Sequence, residues 1–188
     1  MSPRARRDEG FILSATLGVI AEQGVFGTTV DAVAARADVS KATIYRHWGS
    51  RARLIHAAIS SLEPPYVETQ GESLREELVV LLSHLVAFFN RPHTDRVFAS
   101  FIDAAARDPE LAALHDQTMH LAFASFEQVV RRGIDRGELP ADIDVRLFID
   151  VVRSPFIYRR VVAQLPVEPA DIEPVVDLVL AAFSRIPG

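Results

Sequence analysis

Apolar residues in this chain recur every three to four positions almost from end to end, and nowhere do they alternate with period two between turn residues. A chain patterned this way has no sheet to fold onto, so its core must come from helices packed on one another. The expected fold class is all-α. Stop and start signals divide the pattern into units. Gly24 closes a first helix over about residues 7–23, where Phe11, Ile12, Ala15, Val19 and Ile20 share a side. Thr29 caps a short helix at 30–37, and Ser40 caps another at 41–48. Gly49 and Ser50 separate the latter from a helix at 51–62. Further on, Ser73 and Glu76 form a capping box for a helix to about Asn90, and a helix over 94–107 follows. Asp108-Pro109 opens one that reaches about Arg136. Asp144 caps a helix to about Gln164 with Pro155 inside it, and Asp171 opens the last, to about Arg185.

With 49% hydrophobic residues, 188 positions are enough for a real core, and the lack of cysteine removes disulfides and thiolate metal sites. The basic start "MSPRARRDEG" leads into no signal-like apolar run, and the greasy segment 78–89 is short and holds His84. A soluble, cytoplasmic protein with no membrane partner is expected. Charge is uneven. Residues 1–62 carry eight Lys/Arg against five Asp/Glu, and residues 63–188 carry twelve against twenty. The contrast peaks in "VSKATIYRHWGSRARLI", Val39–Ile55, which holds Lys41, Arg46, His47, Arg51 and Arg53 and no acid. A basic N-terminal part on an acidic body presents one face to a polyanion. The expected organisation is a basic N-terminal domain at 1–54, a connecting helix at 51–62, and an acidic helical domain at 63–188. "SLEPPYVETQGE" (Ser61–Glu72) is either a linker or a bend between helical layers.

The helices at 30–37 and 41–48, joined by a three-residue turn, form a helix-turn-helix. At 100° per residue, Ile44 and Trp48 fall on one side of the second helix, placed to pack on Val33, Ala37 and the first helix. The opposite side carries Ala42 and Arg46, flanked by Lys41, Thr43, Tyr45 and His47. Cations, hydroxyls and one small residue are what a helix needs in a major groove. The bland alternative is an amphipathic surface helix with solvated charges.

"ILSATLGVIAEQGVFGTTVDAVAARADVSKATIYRHWGSRARL" resembles the DNA-binding domain of TetR-family transcriptional regulators without a gap across residues 7–54. The match takes in the glycine stop, the paired threonines, the alanines of the second helix and the run "VSKATIYRHW". Three positions depart from the usual pattern. Asp38 stands for glycine at a turn where a left-handed backbone is expected, Trp48 for phenylalanine, and Arg51 for lysine. The resemblance implies DNA contacts from Lys41, Ala42, Thr43, Tyr45 and His47, with Lys41 and Ala42 toward bases and Thr43 and Tyr45 toward phosphates. Arg46 joins them on its position on the wheel. Thr28 or Thr29, and Arg51, match backbone-anchoring positions. Tyr45 is alternatively a packed aromatic with a wet hydroxyl, and Thr29 only a cap.

The family also implies an effector pocket in the C-terminal helices. His84, Phe88, Phe101, His115, Met119, Phe123, Phe126, Arg153 and Tyr158 interleave aromatic and polar groups, as the lining for an unknown small molecule would. Ordinary core is the competing explanation for each. His115 and His120, five apart, do not share a helix face, so no metal is expected, and no cofactor either. No dinucleotide fingerprint, P-loop, nucleophile elbow or H-E-x-x-H occurs, so no enzyme is expected. An activator, a DNA-structural factor or a protein-interaction module remain alternatives to a repressor.

A homodimer is expected without reference to the family. The helices at 144–164 and 171–185 are apolar around most of their circumference, and the chain's own helices cover one side only. Phe148, Val152, Phe156, Val175, Leu178, Val179 and Ala182 are the expected interface, and Pro155 is expected to kink its helix at Val151. Two such helices per subunit make the four-helix interface the family generally uses. A two-fold pair of recognition helices then reads a palindromic operator on double-stranded DNA.

Overall fold

The structure is a computed structural model and describes residues 3–62 and 68–183, leaving aside the side chains of residues 3–8, 118, 119, 121 and 122. Among the described residues there is no strand. The α-helices are α1 (Pro3–Gly27), α2 (Val30–Ala37), α3 (Lys41–Trp48), α4 (Arg51–Ser60), α5 (Leu74–Phe89), α6 (Thr94–Ala105), α7 (Pro109–Asp135), α8 (Val145–Ile157) and α9 (Ile172–Phe183). Local signals in the sequence set most of these ends. The hydroxyls of Thr29, Ser40 and Ser50 accept from Ala32, Thr43 and Arg53 backbone N–H groups at 3.1 Å each, satisfying donors that a helix start leaves orphaned. Asp108 does the same for Glu110 and Leu111, and Asp144 for Leu147. The capping box at α5 is half as expected. Ser73 accepts from Glu76 N–H, but the Glu76 carboxylate takes the N–H of Glu72.

The described residues divide into two compact units, one up to Leu62 with His93–Thr118, the other drawn from 64–92 and 119–188. Thus α6 and the first turns of α7 pack with the N-terminal helices.

In the first unit the apolar side of α1 (Ile12, Ala15, Val19) meets Val33, Ala34 and Ala37 of α2, Ile44 and Trp48 of α3 and Leu54 of α4. Each large side chain in such a core is worth about 1.5–3 kcal/mol of transfer free energy. A second cluster joins Ile20, Ala52, Ile55 and Ile59 to Val97, Phe101 and Ala104 of α6. By length and composition alone, Glu9–Gly27 is apolar enough to cross a membrane, a stretch the sequence reading passed over. Here its apolar stripe is core. α1 is interrupted at Gly24 (φ 69°, ψ 171°), where Ser100 Oγ accepts from Val25 N–H at 2.7 Å. Gly18 leaves room for Arg36 of α2 to lie across α1 and pair with Glu22 at 2.8 Å; a Cβ would sit 2.8 Å from the guanidinium.

In the second unit α5, α8, α9 and the rest of α7 bury Leu74, Leu78, Leu82, Val130, Phe148, Ile149, Val152, Phe156, Val176 and Val179. Pro155 does not end α8. Just beyond it, the turn at Tyr158–Val162 widens to π geometry, with Ala163 N–H bonded to Tyr158 O at 2.9 Å, and Gln164 (φ 55°) stops the helix where expected. Arg75 of α5 grips Asp177 and Glu173 of α9 at 2.7 and 3.0 Å.

A buried carboxylate joins α5 to α7. Glu77 has no exposed side-chain surface and receives Arg132, Arg136 at 3.1 Å and the Thr69 hydroxyl at 2.6 Å. Burial pushes this carboxyl up, but the bonds from Arg132, Thr69 and Arg136 outweigh it and hold it below its ordinary range. With a depressed native pKa, its stabilisation is complete above the ordinary carboxyl value. It is lost as the pH falls through the native one. Glu77→Gln is expected to cost about 2–3 kcal/mol at neutral pH. The gap to wild type should close as both are acidified below about pH 4. Denaturant titrations across pH check this; a pH-independent difference contradicts it.

Candidate nucleic-acid interface

The turn between α2 and α3 fixes how α3 is presented. Asp38 adopts the left-handed conformation expected of it (φ 51°, ψ 46°), and Val39 N–H closes onto Ala34 O at 3.0 Å. Ile44 and Trp48 then enter the core, 1% and 9% exposed. Since the rotation of α3 is set by these two side chains, Lys41, Ala42, Tyr45, Arg46 and His47 are exposed and Thr43 half-exposed. The His47 ring lies 5.5 Å from that of Trp48. Thr43 shares its hydroxyl with Ser40 at 2.9 Å, so its side chain is held at the helix start. Tyr45, half exposed, is not a packed aromatic. The exposed side of α3 thus carries the cations and hydroxyls that the wheel placed there.

Four features of this surface were not legible in the sequence. Thr28 is buried, and its hydroxyl donates to Gly24 O at 2.8 Å, so of the two threonines only Thr29 is exposed. Arg51 does not point its guanidinium outward. It donates from Nε to Thr28 O at 2.6 Å and from Nη2 to Val25 O and Phe26 O, satisfying carbonyls that the break in α1 leaves open. Carboxylates from outside the acid-free window also reach it. Asp31 of α2 pairs with Lys41, and Glu110 of α7 accepts from Ser50 at 2.7 Å and lies 3.9 Å from Arg53. The Asp31 hydrogen bond, with its charge, raises the pKa of the Lys41 ammonium.

The expected effector residues are not gathered in one place. Phe101 and His115 belong to the first unit, with rings edge-on at 5.3 Å and Phe101 deep in the α1–α4–α6 core. Burial lowers the pKa of the neighbouring His56, and His115 adds to that, against a raising bond with the Leu114 backbone. In the second unit His84 and Tyr158 are exposed, and Phe88 packs edge-on against Phe89 at 5.0 Å. Phe123, Phe126 and Arg153 do come together, the buried guanidinium lying 4.4 and 5.2 Å from the two ring centres. Arg146 covers Phe123 at 3.9 Å. The Met119 side chain lies outside the described residues.

The expected interface residues divide likewise. Phe148, Val152, Phe156 and Val179 are spent in the subunit's own core, where Phe148 meets Phe183 edge-on at 5.1 Å. Leu178 and Ala182 are exposed, Leu178 with 71% of its surface, and Val175 is half-buried. On α8 the exposed residues are Arg146, Leu147, Val151 and Ser154, with Tyr158 just beyond its end, and none of these is among the expected interface residues.

Arg51→Ala is expected to cost about 1.5–3 kcal/mol of stability, because the carbonyls of Val25 and Thr28 lose a charged donor. DNA affinity should fall with it, while the slope of log K against log salt stays constant. A phosphate-binding Arg51 would instead flatten that slope by about 0.9. Thermal unfolding and salt-titrated binding to duplex DNA separate the two.

The chain is similar to known proteins along its whole length. Residues 12–58 match the family described as bacterial regulatory proteins, tetR family, and residues 69–179 match the tetracyclin repressor-like C-terminal domain. The HTH-type transcriptional regulator YdeS of Bacillus subtilis is 30% identical over 98% of this chain and 94% of its own. The DNA-binding transcriptional repressor TetR of Mycobacteroides abscessus is also 30% identical, over 100% and 99%. Among solved structures, the regulator FadR of Bacillus subtilis in complex with stearoyl-CoA superposes with a TM-score of 0.67, at 20% identity over 93% of this chain and 97% of that one. With both domain types matched and the helix-turn-helix in place, the chain belongs to the TetR family of bacterial DNA-binding transcriptional regulators.

Proposed function

We propose that the protein is a homodimeric repressor whose paired α3 helices read a palindromic operator and are released when a small molecule binds the C-terminal domain. The carrying observation is α3 itself. Its core side is fixed by Ile44 and Trp48, and its free side offers Lys41, Ala42, Thr43, Tyr45, Arg46 and His47. Lys41 and Ala42, near the helix start, are read as base-facing; Tyr45 and Thr43 are read as phosphate-directed, with Thr29 at the start of α2. Arg51 supports this surface from behind.

Dimerisation rests on the outer sides of α8 and α9. Leu147, Val151, Ser154 and Tyr158 follow one another at intervals of four, three and four, so they form one stripe down α8 and into the first residue of the turn after it. Val175, Leu178 and Ala182 form another on α9 at intervals of three and four. Leucines and valines left in water in this pattern are the material of a helix–helix interface. Two subunits joined there place their α3 helices about 34–36 Å apart or somewhat more, to enter successive major grooves.

For the effector, the group of Phe123, Phe126 and Arg153 is the part of the expected lining that the fold assembles. An apolar molecule with one polar end suits it, the end toward Arg153. The structural neighbour FadR, solved with stearoyl-CoA, carries a ligand of that general build.

Selection of binding sites from a random DNA pool should return an inverted repeat; a single asymmetric half-site would overturn the dimeric reading. In sedimentation equilibrium the chain should run at twice 20.8 kDa at micromolar concentration. Leu178→Arg should give a folded 20.8 kDa monomer with little operator binding. Phe148→Arg should fail to fold, because that side chain is core. A dimer that survives Leu178→Arg unchanged sinks the proposed interface.

A further inference from the structure

Lys41 is the only lysine in the chain and stands at the first position of α3. The sequence surrounds it with no acid from Val39 to Ile55, yet the fold brings Asp31 from the first turn of α2 onto its ammonium. The pairing is preorganised. Val33 and Ala37 of α2 share one core with Ile44 and Trp48 of α3, so the two helices hold the carboxylate and the ammonium in register. Asp31 is also steadied where it is, since a negative charge is favoured in the first turn of a helix. Both side chains are well over half exposed, so the pair is held weakly against water and exchanges readily.

We propose that Asp31 is a specificity-determining residue, holding the Lys41 ammonium away from phosphates and leaving it available to a base edge. The inference rests on the reading of α3 as the base-reading helix. A lysine is a flexible point charge and will take whichever phosphate lies within reach, on any sequence. With Asp31 beside it, a phosphate that approaches Lys41 meets a carboxylate of like charge, and trading one anion for another gains little. The O6 and N7 acceptors of guanine are neutral. They add to the ion pair instead of competing with it, because the ammonium has three donors and one carboxylate does not use them all. The pair therefore withholds one counterion's worth of sequence-independent binding while leaving the base contact intact. Discrimination is gained by weakening the wrong complexes.

The test compares wild type, Asp31→Asn, Lys41→Ala and the double variant on two duplexes of equal length, the selected operator and a random sequence. Freed from its carboxylate, Lys41 should take a phosphate, so Asp31→Asn should tighten binding to the random duplex about fivefold at 0.15 M salt. It should also steepen the salt slope by about 0.9. Operator affinity should rise less, so the ratio of the two affinities falls. In the Lys41→Ala background the same substitution should change either affinity by less than about twofold. Asp31→Glu, which keeps the charge, should behave as wild type and controls for changes at the start of α2. An equal gain with and without Lys41 would make Asp31 a general repeller of DNA and overturn the proposal. So would no gain on the random duplex. If Lys41→Ala leaves operator preference intact while Asp31→Asn still tightens random binding, the failure lies in Lys41 as a base reader.

Discussion

The insertion of Ile44 and Trp48 into the core shared with α1 and α2 is the interaction on which the rest of this molecule turns. An eight-residue helix has little stability of its own, since nucleating it fixes several residues for the first hydrogen bond. Tertiary packing must therefore hold α3 in place, and the packing chosen also fixes which side chains face out. Ser40 settles where the helix starts and Gly49 (φ 77°) where it stops, but neither sets its rotation. The two buried side chains do. Recognition chemistry on the outer side is thus a consequence of burial on the inner one.

That core is braced by polar contacts of a less obvious kind. Gly24 breaks α1 and leaves carbonyls without helical partners; Arg51, at the start of α4, supplies donors to three residues of the following turn. Through this bracket the turn that delivers α2 is tied to the helix that follows α3. Ser50 is drawn in the same way, capping α4 and donating to Glu110, sixty residues further along the chain. Arg51 and Ser50 thus act as fasteners within this unit, tying the start of α4 to the turn before α2 and to α7.

The sequence disclosed what local chemistry governs. Helix starts at Thr29, Ser40, Asp108 and Asp144 were legible because each cap satisfies N–H groups two or three residues on. The outer side of α3 was legible from spacing, and the left-handed turn at Asp38 from the glycine usual there in the family it resembles. Contacts across long separations were not. Nothing near Arg51 indicates that carbonyls twenty-odd residues back will claim it, and nothing in Val39–Ile55 foretells that Asp31 will reach in. The C-terminal helices were misread in one consistent way. Periodicity marked α8 and α9 as apolar on two sides, which they are, but could not tell which side the chain's own α5 and α7 would cover. Phe148 and Val152 went inward, and Leu147 and Val151 were left outside. The largest side chains of α8, Phe148 and Phe156, went to the core, where bulk excludes the most water.

What a folded chain leaves unsatisfied is the surest guide to what it meets. The inner sides of these helices are closed, with Ile44, Val33, Phe148 and Val152 essentially shielded from water. Two surfaces among the described residues run against this pattern most clearly. One is the outer side of α3, where Tyr45, Arg46 and His47 stand in solvent on a chain whose net charge is -5. The other is the apolar pair of stripes on α8 and α9, with Leu178 fully outward. Each runs against its surroundings, cations on an acidic protein and leucines in water. Mutual cancellation is not open to them, since one surface needs anions and the other an apolar partner. A polyanion answers the first need, and in the proposed dimer a second copy of the chain answers the other. In the proposed dimer the two needs are coupled, because a single eight-residue helix reaches few bases and pairing through the second surface would double the sequence read.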